Sequence, residues 1–197
     1  MHDGEDRRRQ GVRQAYSAAA DKPDEAHPFP LGREFAKSLG YPKGLLAELP
    51  DVAVDAFTGV SNVSVFARIP NGSGVLDIGC GAGLDALVAA RQAGDASYVT
   101  GIDFSQNMLS RARRAAQESR QTNVAFVQAS AERLPIRDRS VDVALVNGIF
   151  NLNPARTAIF RELSRVVRPG GAVFAAELVL RLGGPKKSRT NEDDWFA

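Results

Sequence analysis

Val75-Leu76-Asp77-Ile78-Gly79-Cys80-Gly81-Ala82-Gly83 is a short apolar run that breaks into three alternating glycines. It is followed directly by Leu84-Asp85-Ala86-Leu87-Val88-Ala89-Ala90-Arg91, which is apolar at helical spacing, with Gly94 placed to end the helix. Glycine has no Cβ, so such a turn reverses sharply at positive φ and lets a ligand lie against bare main chain. Further on, Tyr98-Val99-Thr100-Gly101-Ile102-Asp103 forms a second apolar run that ends in an acid. A strand-ending carboxylate at that distance suits the two hydroxyls of a nucleoside ribose.

Two nucleoside ligands fit these residues. Gly81-Ala82-Gly83-Leu84-Asp85-Ala86 also satisfies the looser dinucleotide pattern G-x-G-x-x-G/A. Asp77 argues for the other ligand: a carboxylate just ahead of the glycines favours a ligand with an ammonium or sulfonium nearby, whereas a pyrophosphate prefers a helix N-terminus without an added anion. A tight strand-to-helix turn with no ligand is the third reading.

The ordered set of motifs resembles the class I S-adenosylmethionine-dependent methyltransferases. Val75 to Gly83 and Gly101-Ile102-Asp103 are similar to that family's glycine loop and its strand-ending acid. Ala131-Glu132-Arg133-Leu134-Pro135 resembles its segment beside the adenine. Ser140-Val141-Asp142-Val143-Ala144 resembles its fourth strand, and Arg165-Val166-Val167-Arg168-Pro169-Gly170-Gly171 its turn into the fifth. The resemblance spans roughly residues 73–180. It implies S-adenosylmethionine as cofactor, bound by Tyr16, Asp77, Gly79, Cys80, Gly81, Asp103, Phe104, Met108, Ala131, Glu132 and Asn147.

A narrower likeness lies outside these motifs. His27-Pro28-Phe29-Pro30-Leu31-Gly32, Ser38-Leu39-Gly40-Tyr41-Pro42, Ala56-Phe57-Thr58-Gly59-Val60-Ser61-Asn62 and Val146-Asn147-Gly148-Ile149-Phe150-Asn151-Leu152-Asn153-Pro154 resemble arsenite methyltransferases. Those enzymes hold trivalent arsenic with several cysteines, one of them beside the strand-four asparagine, where this chain has Gly148. Cys80 is the only cysteine, and one thiolate does not make the multi-sulfur site a thiophilic centre needs. With no companion ligands nearby, Cys80 reads as filling the turn, and no metal site is expected.

The 197 residues suit one domain with a large core, and 25 basic against 23 acidic residues give no electrostatic case for nucleic acid or a membrane surface. A single cysteine, no signal-peptide pattern at the start and no long uncharged apolar run point to the cytoplasm. Alternating apolar runs and helical patterns predict an α/β fold, a doubly wound, mostly parallel sheet. Strands are expected near 74–78, 98–103, 123–128, 141–147 and 172–180. Helices are expected near 84–93, 105–119 and 154–167, with Ser105 capping the second and Asn153-Pro154 opening the third. The core face of the third is expected to be Ile159, Phe160, Leu163, Val166 and Val167.

Residues 1–72 read as a cap: polar and mobile over 1–10, helical over about 11–20, then proline-punctuated short helices. Residues 73–180 form the binding core and 181–197 a tail. The family adds two strands beyond the fifth, so the sheet is expected to be short by two. Its open edge would then be covered by a homodimer partner, by the tail with Trp195 and Phe196, or by more of a longer protein.

A sulfonium methyl is already activated, so transfer to a small-molecule acceptor mainly needs alignment and the exclusion of water. Candidate general bases are His27, Tyr16, Tyr41 and Glu177, and Asn147 and Asn151 could orient an acceptor; none is assigned as catalytic. Three functions stay open: methyl transfer to a small molecule, arsenite included; binding of the nucleoside without catalysis; and nucleotide-dependent oxidoreduction.

Overall fold

The structure, a computed structural model, describes residues 2–179. The tail residues Trp195 and Phe196 lie outside them, and the fifth strand, expected to reach Leu180, ends at Ala176, with 177–179 irregular. Five helices precede the first strand: α1 (His2–Asp21), α2 (Gly32–Ser38), α3 (Lys43–Ala47), α4 (Asp51–Val54) and α5 (Val63–Phe66). Strands and helices then alternate as β1 (Gly74–Ile78), α6 (Leu84–Ala93), β2 (Tyr98–Asp103), α7 (Gln106–Glu118) and β3 (Val124–Gln128). β4 (Val141–Asn147), α8 (Arg156–Val166) and β5 (Val167–Ala176) complete the described elements.

The sheet is parallel throughout, in the order β3-β2-β1-β4-β5. The chain therefore steps outward from β1 to β2 and β3, then returns to the other side of β1. The strand order reverses between β1 and β4, and ligands of such sheets lie outside the carboxyl ends at that point. This is the α/β, doubly wound sheet the sequence predicts. Among the described residues no strand pairs with the outer edge of β5.

Alternation along β1 sorts the core. Leu76 and Ile78 pack with Ile159, Leu163 and Val166 of α8, while Val75 packs with Leu84, Leu87 and Val88 of α6 and Leu109 and Ala112 of α7. Leu46, Val54 and Val63 from the short helices join that second cluster. Helices thus cover both faces, which is why the central strands read as continuous apolar runs. Asp77 takes its direction from the same alternation: it shares the α6 face with Val75.

Several boundaries differ from expectation. α1 begins at His2, so residues 2–10 are helical rather than irregular; Arg, Glu and Gln favour helix without needing an apolar stripe. α8 begins at Arg156. Asn153 Oδ1 accepts from the Ala155 amide at 2.8 Å, which makes it a turn residue just ahead of the helix. Phe160 is 54% exposed and stacks on Phe150 with ring centroids 4.7 Å apart, so it covers the core's edge rather than filling it. β5 begins at Val167, and a register shift opposite Val141–Val143 absorbs Arg168 to Gly171. The Ser105 cap forms as expected, its Oγ accepting from the Met108 amide at 3.3 Å.

Gly101 and Gly83 make a slot for Phe126. A Cβ on Gly101 would stand 2.6 Å from the Phe126 ring and 2.9 Å from Cys80 Sγ, and one on Gly83 would stand 3.0 Å from the same ring. Gly101→Ala should therefore cost about 1–3 kcal/mol, the range for overpacking a filled core. Urea unfolding checks it; a midpoint equal to wild type would show that the ring moves aside freely.

Candidate functional site

A cavity of about 560 Å³ lies at the carboxyl ends of the strands, within the size range of small-molecule sites. Its floor is Asp77, the turn from Gly79 to Ala82, and the end of β2 at Ile102, Asp103 and Phe104. Its walls are Ala129 to Glu132 after β3, Asn147 to Ile149 after β4, and Phe57, Thr58 and Gly59 from the segment after α4. Gln10, Val12, Arg13 and Tyr16 of α1 close it.

Local hydrogen bonding dictates the shape of the turn. The Gly79 and Cys80 amides both donate to the Ile102 carbonyl, at 2.8 and 3.0 Å, which ties the start of the turn to β2. The Gly81 amide donates to Asp103 Oδ2 at 2.9 Å, and the Ser105 amide to Asp103 Oδ1 at 2.8 Å. Asp103 thus joins the glycine turn to the start of α7 and still presents lone pairs to the cavity that it lines. Gly81 sits at φ +52°, and a Cβ there would meet nothing closer than Met108 Sδ at 4.0 Å. Bare backbone faces open space at that position.

Three carboxylates converge here. Asp77 is 2% exposed and its Oδ2 has no hydrogen-bond partner among the described residues. Burial, then the charges of Asp85 and Asp103, push its carboxyl well above the usual range, and the Ala86 amide opposes this only in part. Burial also raises Asp103, against the amides of Ser105, Gly81 and Phe104. Asp85 is 6% exposed and opens α6, where the helix N-terminus favours a carboxylate. Glu132 adds a fourth acid to the lining, half-buried, with Oε1 accepting from Asn153 Nδ2 at 3.0 Å. Arg13 is the cation that the described residues bring to the lining, and its guanidinium lies 5.7 Å from the Phe104 ring centre. The lining can accept hydrogen bonds from a ligand, and a cation placed beside Asp77 would favour its ionised form.

The segment after α4, which lies over the cavity as a lid, is fastened through Asn147. Its Oδ1 accepts from the amides of Val60 at 2.8 Å and Ser61 at 3.2 Å, while its Nδ2 donates to Ser61 O at 2.7 Å and to Asp85 Oδ2 at 2.8 Å. Tyr16 stacks on Phe29 at 4.7 Å and meets Phe104 edge-on at 6.5 Å, which brings α1 over the end of β2.

Of the residues expected from the sequence, Tyr16, Asp77, Gly79, Cys80, Gly81, Asp103, Phe104, Ala131, Glu132 and Asn147 all line the cavity. Met108 does not: it is buried with Ala19, Ala20, Ala56 and Ala82 beneath the turn. Asp85, Thr58, Gly59, Gln10 and Arg13 line it and were not singled out. For Asp85 a signal existed, an acid one step into an otherwise apolar helix.

Among the general-base candidates, His27, Tyr41 and Glu177 lie outside the lining. His27 Nε2 is 2.8 Å from the Lys22 carbonyl, and Glu177 Oε2 accepts from the Asn151 amide at 3.1 Å. Burial holds the phenols of Tyr16 and Tyr41 above their ordinary range, and Tyr41 donates to Asp85 at 2.5 Å. Burial likewise raises the Cys80 thiol, which disfavours its thiolate form. The arrangement can bind and align a ligand; of these candidates only Tyr16 lines the cavity, and burial holds its proton on.

Comparison with known proteins agrees with this geometry. Residues 75–171 match the methyltransferase domain family. An arsenite methyltransferase from Halobacterium salinarum is 36% identical over 144 residues, 73% of this chain and 37% of that protein. A demethylmenaquinone methyltransferase from Listeria welshimeri is 36% identical over 105 residues, 53% of this chain and 44% of that protein. The solved arsenic(III) S-adenosylmethionine methyltransferase from Chlamydomonas reinhardtii superposes with a TM-score of 0.57 at 28% identity, over 73% of this chain and 48% of that one. The chain spans less than half the length of the curated relatives it matches.

The unpartnered carboxylate gives a testable sign. Because the folded protein holds Asp77 protonated to a higher pH than the unfolded chain does, its burial costs nothing below the ordinary carboxylate range. It costs progressively more as pH rises from there toward its folded value. Asp77→Asn should raise the melting temperature at pH 7 by roughly 2–4 °C, the shift about 1 kcal/mol produces in a domain of this size. It should also flatten the decline in stability above pH 4. Thermal melts of both proteins between pH 4 and 8 check it; identical curves would mean Asp77 is ionised at no cost.

Proposed function

We propose, on the premise that this chain belongs to the S-adenosylmethionine-dependent methyltransferases, that it transfers the methyl group of that cofactor to a small-molecule acceptor. The observation that carries the reading is the buried Asp77 carboxylate with its unpartnered oxygen, set beside a glycine turn whose backbone faces the cavity. Both are needs a cationic amino acid nucleoside would meet. In this reading Asp103 takes the ribose hydroxyls, the Gly79–Gly81 backbone and Asp77 take the amino acid portion, and the 131–132 segment with Phe104 flanks the adenine. The cofactor supplies an electrophilic methyl group already activated by its sulfonium. The chain's own part is to hold the acceptor in line and keep water out beneath α1 and the 57–59 segment. Residues 2–72 act as the cap in this account and 73–179 as the binding core. A cytoplasmic place suits the single cysteine and near-balanced charge; no helix among the described residues is long and apolar enough to cross a membrane.

The relatives that methylate arsenic raise arsenite as an acceptor. Against it stands the thiol inventory: Cys80 is the only cysteine, buried in the cofactor turn with its thiol proton held on. At Gly148, beside Asn147, φ is +77° and a Cβ would stand 2.9 Å from Val60 Cγ1, so a cysteine there would be both strained and crowded. We therefore assign an acceptor other than arsenite.

Titration calorimetry with S-adenosylmethionine, S-adenosylhomocysteine and NAD tests the cofactor: the first two should bind and NAD should not, and the reverse pattern would end the reading. Asp103→Ala should weaken S-adenosylhomocysteine binding by roughly tenfold or more, the value of charge-assisted hydrogen bonds; an unchanged affinity would remove Asp103 from the site. Incubation with arsenite, cofactor and thiol should yield no methylated arsenic by mass spectrometry, and clear turnover would restore arsenite as substrate.

A further inference from the structure

The chain from Thr58 to Asn62 crosses the cavity without regular secondary structure, so its backbone polar groups need partners from elsewhere. They find them on one side chain. Asn147 accepts from the Val60 and Ser61 amides and donates to the Ser61 carbonyl, and its remaining N–H goes to Asp85. An amide has two donors and two acceptor positions, and all four are filled by protein. Asn147 therefore has nothing left to offer a ligand directly.

Asp85 is filled in the same way. Its Oδ1 accepts from the Tyr41 hydroxyl, the Ser64 amide at 3.2 Å and the Ser64 hydroxyl, and its Oδ2 from Asn147. It thus gathers α5 and the loop before α3 onto the first turn of α6, the helix that the glycine turn opens. The strap lies hard against this pair: a Cβ on Gly59 would stand 2.5 Å from Asn147 Nδ2 and 2.7 Å from the Phe57 ring.

We propose that Asp85 and Asn147 are positioning residues that, as a hydrogen-bonded pair, fasten residues 58–62 across the cavity, so that Thr58 and Gly59 form a fixed wall that slows release of the bound nucleoside. The fastening rests on the hydrogen bonds alone, and the effect on release rests on the cofactor reading above.

The polarity of the pair supplies the test. In Asp85→Asn the new NH2 must face either the NH2 of Asn147 or the three donors from Tyr41 and Ser64. In Asn147→Asp a second carboxylate faces Asp85 and the Ser61 carbonyl. Either single change should make the Val60 and Ser61 amides exchange with solvent roughly tenfold faster, with Ile78 and Ile102 in the central strands unchanged, and should speed S-adenosylhomocysteine dissociation by a similar factor. The double variant D85N/N147D restores a donor facing an acceptor and should recover a large part of both effects. Tyr41→Phe, which removes one donor and leaves Asn147 intact, should give a smaller change and covers the case in which a charge-altering variant fails to fold.

Unchanged exchange at Val60 and Ser61 would overturn the fastening. Faster exchange with unchanged dissociation would overturn the wall's role in retention. Additive effects in the double variant would show that the two residues act separately. If wild type bound no S-adenosylhomocysteine, the cofactor reading would fall and the retention role with it, while the exchange result would still decide the fastening.

Discussion

Three carboxylates brought within reach of one another at the carboxyl ends of β1 and β2 and the first turn of α6 are the constraint on which the rest of the structure depends. Like charges in a buried place raise one another's proton affinity, and each must be neutralised, hydrogen-bonded or matched by a cation. The protein settles them unequally. Asp85 is satisfied by its own lid, Asp103 is shared between the turn and the cavity, and Asp77 keeps one oxygen with no donor. In the proposed function that inequality divides the work: Asp85 positions, Asp103 braces the turn and takes the ribose, and Asp77 takes the amino acid portion.

The fold exists to make that convergence affordable. A parallel sheet whose order reverses between β1 and β4 opens a crevice above β1, and helices on both faces bury the strands so that their carboxyl ends open to the cavity. Alternation along β1 sends Leu76 and Ile78 into one cluster and Asp77 towards α6, where Asp85 stands. The glycines let the turn hug Ile102 and Asp103 closely enough for main-chain amides to reach both. Before the sheet, the short helices contribute Leu46, Val54 and Val63 to the same core that supports α6, so the lid and the floor share one foundation.

Much of this was legible in the residues. The strand, the glycine turn, the helix after it and Asp103 follow from local chemistry, because glycine spacing and period-two alternation are properties of short segments. The cavity lining after β3 and β4 was readable only through the family likeness, since nothing local about Ala131 or Asn147 announces where a sheet will bring it. What escaped was set by long-range contact. Asn147 looks like a turn or acceptor-binding residue in sequence, and only the arrival of residues 58–62, far back in the chain, turns it into the anchor of the lid. Phe160 fits an apolar helical stripe yet is more than half exposed, stacked on Phe150 at the edge of the core. Helix ends moved by a few residues where side chains bonded ahead of the helix, as Asn153 does.

The central claim is that the glycine turn and its flanking acids hold a nucleoside in this cavity. It is tested most directly by a crystal structure of the chain with S-adenosylhomocysteine at saturating concentration. The account requires density for the ligand between the Gly79–Gly81 backbone and Phe104, its ribose hydroxyls on Asp103 and its amino group within hydrogen-bond distance of Asp77. A cavity without ligand at that concentration, or a ligand bound elsewhere with Asp77 Oδ2 still unpartnered, would contradict it.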